Sequence, residues 1–237
     1  MIRVTVWNEY NGTQNFPHYP KGLHEYIKDF LNEREGITAA SQIQFCEGEG
    51  LTEEILSATD VLVFWAHGFH ELLSEAAANR VVSHVQRGMG AVFLHSAHMC
   101  KPFRRLMGTS CTLKWREAEE RERLWIVDPT HPVAKGLPEQ IVIPHEEMYG
   151  EKFDIPTPDA LIAIGWFQGG EVMRSVCAYQ RGLGRIVYIQ PGHETYPVYL
   201  QPEIQQLIEN AVRWTAPVAK AERLECPWIK EPLEKLK

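Results

Sequence analysis

Short apolar runs alternate with amphipathic stretches through the first half of the chain, and this alternation constrains the fold more than any other feature. Runs typical of buried strands occupy residues 2–7, 43–46, 60–65 and 91–94. Helical spacing of apolar residues occupies residues 21–33, 51–57, 71–87 and 102–107. Because strands and helices alternate in this order, the sequence predicts a parallel, doubly wound α/β sheet with right-handed crossovers.

The pattern changes in the second half, where β-type segments follow one another. Residues 112–125 alternate in polarity and are heavily charged, which is typical of an antiparallel ribbon. Three further β-type segments are separated by glycines that favour hairpins: residues 160–167, 171–179 and 185–189. A final amphipathic helix is predicted over residues 202–214.

These patterns divide the chain into one domain and a tail. We expect residues 1–217 to form a flavodoxin-like α/β domain with an antiparallel β extension. We expect residues 218–237 to form an extended C-terminal arm in which Trp228 is an anchor. The charged ribbon and the arm are both candidate contacts with neighbouring subunits, so a homo-oligomer is expected.

Composition narrows the class of partner and the compartment. The formal net charge of −7 argues against nucleic acid or an anionic membrane as the main partner, because both select basic surfaces. No apolar run approaches the roughly 20 residues that a membrane-spanning helix needs. The first residues lead directly into a strand pattern, so a secretory leader is not expected, and the five cysteines lack CxxC spacing. We therefore expect a cytoplasmic protein with reduced thiols.

Histidines are concentrated where the apolar runs end. Four such segments contain His67, His95, His145 and His193. In an open α/β sheet, the carboxyl ends of the strands form the edge where ligands bind. The sequence therefore predicts one polar site assembled from several strand ends.

The sequence predicts different roles for the individual histidines. A glycine on its N-terminal side lets His193 project from the sheet edge, and we take it as the strongest candidate. His67 lies on a tight turn and is either a site residue or a partner of a loop carbonyl, and His70 is alternatively a helix cap. His131 lies between two prolines and is interpreted as part of a rigid turn.

The turn at His95-Ser96 joins a strand to a helical segment, which is the arrangement of a nucleophile elbow. Ser96 is therefore a candidate nucleophile, although serine before a helix is also an ordinary N-cap. Glycine lies on neither side of Ser96, so the G-x-S-x-G pattern is not present. Cys100 is a weaker candidate for the same role.

Residues 144–151 are the densest polar cluster. The cluster combines an imidazole, carboxylates and a phenol, which suit general acid–base work or a hard or borderline cation. Glu147 and Tyr149 are two positions apart, so they share one side of an extended segment. Glu146 is interpreted as solvated surface.

Aromatic, amide and charged residues near these strand ends suit a carbohydrate ligand, because flat rings contact sugar C–H faces while polar groups bind hydroxyls. The candidate sugar contacts are Asn8, Glu9, Trp65, Tyr149, Arg174 and Glu194. Three further aromatic residues are of the same type: Trp7, Trp166 and Tyr196. Each aromatic residue has burial in the core as its alternative.

The order of these motifs resembles the trehalose-utilisation (ThuA-like) family. The resemblance runs from Met1 to about Pro217 and rests on five segments: residues 4–9, 93–97, 128–132, 146–149 and 182–193. It implies a class I glutamine amidotransferase-like fold and a role in the metabolism of trehalose or related disaccharides, with oxidised (3-keto) sugars as intermediates. The expected substrate of such an enzyme is a small-molecule sugar.

The family's motifs fall on particular residues of this chain. Its His-Ser-Ala/Gly turn falls on His95-Ser96-Ala97, and its Gly-His falls on Gly192-His193. Its Asp-Glu-x-Tyr element falls on residues 146–149, with Glu146 in place of the aspartate. The elbow cysteine of glutamine amidotransferases is missing, so the chain is not expected to hydrolyse glutamine.

Two kinds of role are predicted for the site. We expect His193 and Glu147 to act as acid–base groups, with His95 and Tyr149 positioning sugar hydroxyls. A divalent metal, most plausibly zinc, is expected on some of five residues: His67, His95, His145, Glu147 and His193.

Two other functions remain open at this stage. The protein is alternatively a non-catalytic sugar-binding or regulatory protein that uses the same pocket. A third interpretation is a serine or cysteine hydrolase acting through Ser96 or Cys100.

Overall fold

The computed structural model describes residues 1–10 and 16–235 and contains a mixed sheet flanked by helices. Its strands are β1 Ile2–Asn8, β2 Ile37–Ile43, β3 Val61–Trp65, β4 Gly90–Leu94, β5 Lys114–Ile126, β6 Gln140–Gly150, β7 Ala160–Phe167, β8 Val172–Arg181 and β9 Gly184–Ile189. Its α-helices are α1 Leu23–Asn32, α2 Glu53–Ala58, α3 Glu75–Gln86, α4 Lys101–Met107 and α5 Pro202–Thr215. None of these helices is long and apolar enough to cross a membrane.

The strands of the described chain form one nine-stranded sheet in the order β2-β1-β3-β4-β9-β8-β7-β5-β6. From β2 to β9 every neighbouring pair is parallel. From β9 to β6 every neighbouring pair is antiparallel. This arrangement confirms the prediction of a doubly wound, mainly parallel sheet with an antiparallel extension.

The parallel half is buried on both faces, which explains its unbroken apolar strands. On one face, Val61 and Val63 belong to the core under α1 and α5. On the other face, Leu62 and Phe64 belong to the core under α2, α3 and α4. The alternation of side chains along β3 therefore serves two separate helical layers.

Two predicted elements are displaced in the structure. The second strand is β2, Ile37–Ile43, and not residues 43–46, because its register with β1 starts at Ile37 opposite Ile2. The helix predicted over residues 71–87 begins only at Glu75, because the Ser74 hydroxyl caps it by accepting the Ala77 N–H at 3.1 Å.

Residues 144–150 of the polar cluster lie in strand β6. The strand pattern was hard to recognise because charged residues usually mark exposed segments. Here the carboxylates of Glu146 and Glu147 are buried within the protein. Glu146 is wholly buried, so its interpretation as solvated surface was wrong.

The C-terminal residues after α5 have no helix or strand up to residue 235. Trp228 is 82% exposed, so it does not anchor this segment. The segment is held closer to α5, where Lys220 Nζ donates to the carbonyls of Ser57 and Thr59.

Candidate metal centre and cavity

Four polar side chains converge at the carboxyl edge of the parallel strands. His67, His95, Glu147 and His193 each offer one ligand atom, and these atoms lie within 4.8 Å of one another. His67 and His95 follow β3 and β4, Glu147 lies in β6, and His193 follows β9. The structure thus brings together four of the five residues proposed as metal ligands from the sequence, and the group could bind a metal ion.

His95 occupies the first position after β4 with a left-handed backbone, at a φ of 55°. A residue other than glycine rarely adopts this conformation, and it is the strained position of a strand-to-helix elbow. The His95 Nδ1 lies 3.2 Å from the carbonyl oxygen of Gln190 and donates to it. Its Nε2 therefore faces the cluster, 3.3 Å from Glu147 Oε2.

His67 is oriented by a second carboxylate. Its Nδ1 donates to Glu194 Oε2 at 2.7 Å, which leaves Nε2 for the cluster. Burial lowers the pKa of His67, but the hydrogen bond and charge of Glu194 outweigh it and raise the pKa to about 8. Burial conversely raises the pKa of Glu194, and its bond to His67 overcomes this and lowers the pKa to about 2.

Buried Glu9 fixes the backbone of the turn that carries His67. Its carboxylate accepts the N–H groups of His67 at 2.6 Å and Phe69 at 2.9 Å, and also that of Gly68. Three charge-assisted hydrogen bonds make this turn rigid. The role of Glu9 is thus to position the turn.

Glu146 performs the equivalent task for His193. Its carboxylate accepts the N–H groups of Gly192 at 2.7 Å and His193 at 3.2 Å. Burial raises the pKa of Glu146 to about 7. Gly192 has a φ of 145°, and a Cβ there would meet the Tyr199 hydroxyl at 1.9 Å, so this position requires glycine.

The His193 ring is held differently from the other two imidazoles. Its Nδ1 accepts the N–H of Thr195 at 3.2 Å. The neutral ring therefore carries its proton on Nε2, which lies 3.7 Å from Glu117 Oε1. Burial and the nearby His95 lower the pKa of His193 to about 4. In this arrangement His193 offers an N–H and not a free electron pair.

Glu147 fits a cation. The residue is 3% exposed, and its Oε2 has no hydrogen-bond partner in the described part of the chain. Burial raises the pKa of Glu147, but the adjacent His95 ring lowers it below its usual value, so the carboxylate is ionised. A buried charge requires compensation. Nitrogen and oxygen donors of this kind are those that zinc accepts.

Ser96 does not have the surroundings of a nucleophile. His95 takes the elbow position, and Ser96 lies in the following short helical turn. The Ser96 hydroxyl hydrogen-bonds to the Tyr149 hydroxyl, and Tyr149 in turn lies 3.4 Å from His95 Nε2. Burial raises the pKa of the Cys100 thiol well above its usual value, so it is not a thiolate.

A cavity of about 300 Å³ opens beside the four-residue cluster. It is lined by His67, His70, Ser96, His98, Met99, Thr112, Leu113, Trp115, Glu147 and Tyr149. The cavity is therefore continuous with two members of the cluster, His67 and Glu147, and with the Ser96–Tyr149 hydroxyl pair. A small polar ligand held here would contact the cluster directly.

His145 lies apart from the cluster, which corrects its proposed place among the ligands. Its side chain is exposed, and its Nδ1 lies 3.4 Å from the Glu119 carbonyl oxygen. The parity of the sequence places His145 with Glu147, but the pairing of β5 and β6 shifts register between Glu120 and Glu122. This irregularity breaks the alternation of side chains.

Three proposed sugar contacts support the site from behind and do not line the cavity. Asn8 is wholly buried and lies 3.2 Å from the His24 ring. Trp65 is 1% exposed, donates to the Gly192 carbonyl and stacks on His95. Glu9 holds the turn described above.

Arg174 and Glu194 also contact protein groups. Arg174 forms an ion pair with Glu151 at 2.8 Å, outside the residues that line the cavity. The Glu194 carboxylate accepts the hydrogen bond from His67 Nδ1. Of the sugar contacts proposed from the sequence, Tyr149 is the one that lines the cavity.

Trp115 lines the cavity and is not among the residues proposed from the sequence. It is the direct cross-strand partner of Tyr149 in the β5–β6 pair. The sequence shows an aromatic residue at the start of the alternating ribbon. Its place at the cavity follows from the β5–β6 strand pairing, which the sequence does not specify.

The fold is similar to that of a glutamine amidotransferase, and the strand-to-helix elbow after β4 carries His95. A glutamine amidotransferase from Thermotoga maritima shares the fold with a TM-score of 0.54 at 11% identity, over 90% of this chain and 97% of that chain. The family model described as trehalose utilisation matches residues 3–215. The chain therefore belongs to the ThuA family of trehalose-utilisation proteins.

Other solved structures agree with this assignment of the fold. A ThuA-like protein from Parabacteroides merdae is 17% identical, with a TM-score of 0.70 over 93% of this chain and 92% of that chain. A cytoplasmic protein from Salmonella typhimurium is 14% identical, with a TM-score of 0.60 over 91% of this chain and 100% of that chain. No curated protein was found to match the sequence.

Proposed function

We propose that this protein is a metal-dependent enzyme of disaccharide metabolism that acts on trehalose or a related 3-keto disaccharide in the cytoplasm. One observation carries the proposal: an ionised, buried Glu147 lies among three histidines beside a cavity, in a chain of the trehalose-utilisation family. Zinc suits this set of nitrogen and oxygen donors. The similarity in fold to a protein described as cytoplasmic supports the compartment.

Three residues would hold the metal. His67 and His95 each present Nε2 because Nδ1 is engaged by Glu194 or by the Gln190 carbonyl. Glu147 adds the carboxylate oxygen that has no hydrogen-bond partner in the described chain. When bound, the metal polarises a carbonyl or activates a water molecule.

His193 then serves as a hydrogen-bond donor towards the substrate. Glu147 and His193 were both candidates for an acid–base role, but Glu147 is needed as a ligand. The neutral His193 ring carries its proton on Nε2 and donates a hydrogen bond to a sugar oxygen, because the Thr195 N–H holds the other ring nitrogen. The hydroxyls of Ser96 and Tyr149, which line the cavity, orient sugar hydroxyls.

The test combines metal analysis with product analysis. Wild type, Glu147→Gln and the matched control His145→Ala are assayed with trehalose and 3-keto-trehalose after loading with zinc. We expect bound zinc and turnover in wild type and in the control, and loss of both in Glu147→Gln. Binding of sugar without turnover in loaded wild type would instead indicate a sugar-binding or regulatory protein. Turnover unaffected by chelators would remove the metal from the proposal.

A further inference from the structure

We propose that Trp115 is a stacking platform for the second ring of a two-ring sugar at the mouth of the cavity. The inference rests on the proposed function and specifies which part of the substrate the site selects. Trp115 lines the cavity although its residue surface is 67% exposed. It is the most exposed of the aromatic residues that line this cavity, since Tyr149 is 3% exposed.

The strand register fixes the place of Trp115 relative to the cluster. Trp115 and Tyr149 are directly opposite each other in the antiparallel β5–β6 pair, so their side chains leave the same face. Tyr149 extends inwards until its hydroxyl lies 3.4 Å from His95 Nε2. The indole of Trp115 therefore lies on the same wall of the cavity as Tyr149, farther from the cluster and closer to solvent.

The Trp115 indole belongs to an apolar surface of the cavity that is bordered by polar side chains. Contiguous apolar surfaces rimmed by polar groups mark ligand-binding grooves. Leu113 and Met99 continue the apolar surface into the cavity. The C–H face of a pyranose ring is flat and apolar, so it is complementary to an indole face and to these neighbours.

The size of the cavity separates the two rings of the substrate. A volume of about 300 Å³ lies at the lower end of the range of roughly 300–1,000 Å³ for small-molecule sites. One sugar ring beside His67 and Glu147 would use the polar part of this space. The second ring must then rest against the rim, where Trp115 lies. We expect a single-ring sugar beside the cluster to make less contact with the indole than a disaccharide does.

Calorimetric titration with trehalose and with glucose tests this arrangement. The proteins are wild type, Trp115→Ala, Trp115→Phe and the matched control Trp166→Ala. Trp166 was a candidate sugar contact from the sequence, but it is a 53% exposed tryptophan of β7 that does not line the cavity. We expect Trp115→Ala to weaken trehalose binding about tenfold, the size of one lost aromatic contact. Glucose affinity should stay within about twofold of wild type, Trp115→Phe should largely restore trehalose binding, and Trp166→Ala should match wild type.

The outcomes separate this inference from the proposed function. Trehalose binding to wild type that is unchanged in Trp115→Ala would overturn the platform and leave the proposed function in place. An equal loss of glucose and trehalose affinity would also overturn it, because the effect would not be specific to the second ring. Failure of wild type to bind either sugar would overturn the proposed function and this inference together. Circular dichroism of each variant confirms that it is folded.

Discussion

Glu194 accepts a hydrogen bond from Nδ1 of His67 at 2.7 Å and thereby turns Nε2 of that ring towards Glu147 and His95. The Gln190 carbonyl does the same for His95 at 3.2 Å. Outer partners of this type fix the tautomer of histidines that ligate metals and increase their basicity. The two pairs explain why these imidazoles are prepared to bind a cation.

Removing the Glu194 carboxylate should weaken metal binding without removing a ligand. We expect Glu194→Gln to lower zinc affinity by about 10–100-fold, the usual effect of losing such an outer partner. Competition with a fluorescent chelator measures the affinity, and His145→Ala is the control because His145 is exposed and outside the cluster. Equal affinity in Glu194→Gln and wild type would contradict this role.

Ser96 should behave as a hydroxyl contact and not as a nucleophile. Its hydroxyl bonds to Tyr149 and follows an elbow occupied by His95. We expect Ser96→Ala to raise KM by up to about tenfold, as for one lost hydrogen bond, with a smaller change in kcat. Intact-mass measurement after treatment with a fluorophosphonate should find no adduct on wild type. An adduct that disappears in Ser96→Ala would restore the hydrolase interpretation.

Glu9 should contribute to stability through the turn that it holds. Glutamine at this position keeps one acceptor oxygen but presents an amide to backbone N–H groups of residues 67–69. We expect Glu9→Gln to lower the free energy of unfolding by roughly 2 kcal/mol, since hydrogen bonds to charged groups are worth about 1.5–3 kcal/mol. Urea denaturation measures the change. The exposed Glu54→Gln is the control, with an expected change within about 0.5 kcal/mol.

His98 should make the protein less stable in acid. Burial lowers the pKa of His98 from 6.5 to about 3, while its Nδ1 donates to the Cys111 carbonyl at 2.7 Å. The unfolded chain takes up a proton at this residue below pH 6.5 and the folded chain does not. Stability from this group is therefore present above pH 6.5 and is lost as pH falls towards 3.

The comparison with His98→Asn isolates this effect, because asparagine keeps an N–H donor but does not titrate. We expect the difference in unfolding free energy between wild type and the variant to change by about 1.4 kcal/mol per pH unit below the unfolded pKa. Urea denaturation at a series of pH values measures it. Parallel profiles for the two proteins would show that His98 is not buried in its neutral form.

The C-terminal arm should mediate association. Leu224, Trp228 and Ile229 are 55%, 82% and 67% exposed, which is unfavourable for an isolated chain. We propose that the full chain is a homo-oligomer and expect deletion of residues 224–237 to lower its molar mass in light scattering. The melting temperature at low protein concentration should change little, because the retained residues Lys220 and Ala221 keep their hydrogen bonds with the domain. An unchanged molar mass would exclude this role.

The fold could be predicted from the sequence because the apolar patterns that indicate its strands and helices are local. Unbroken apolar strands such as Val61–Trp65 indicate burial on both faces, and each is followed by helical spacing. The same logic placed His67, His95 and His193 at one sheet edge, and the structure brings these three together with Glu147.

Features that depend on strand pairing or on distant contacts could not be predicted from these local patterns. The position of His145 depends on a register shift in the β5–β6 pair, and the importance of Trp115 depends on its partner Tyr149. The buried role of Glu146 depends on N–H groups 46 and 47 residues away along the chain, at Gly192 and His193. A carboxylate that stabilises a distant turn has the same local sequence as one that faces water.

The last strand in the sequence, β9, lies in the middle of the sheet between β4 and β8. During synthesis, a nascent chain that lacks Gly184–Ile189 therefore leaves both neighbouring strands with open edges, which are prone to wrong pairing. The turn after β9 also supplies His193 and Glu194, so the cluster is complete only when the chain has been made almost to α5. Metal capture would thus mark chains whose central strand has been inserted correctly.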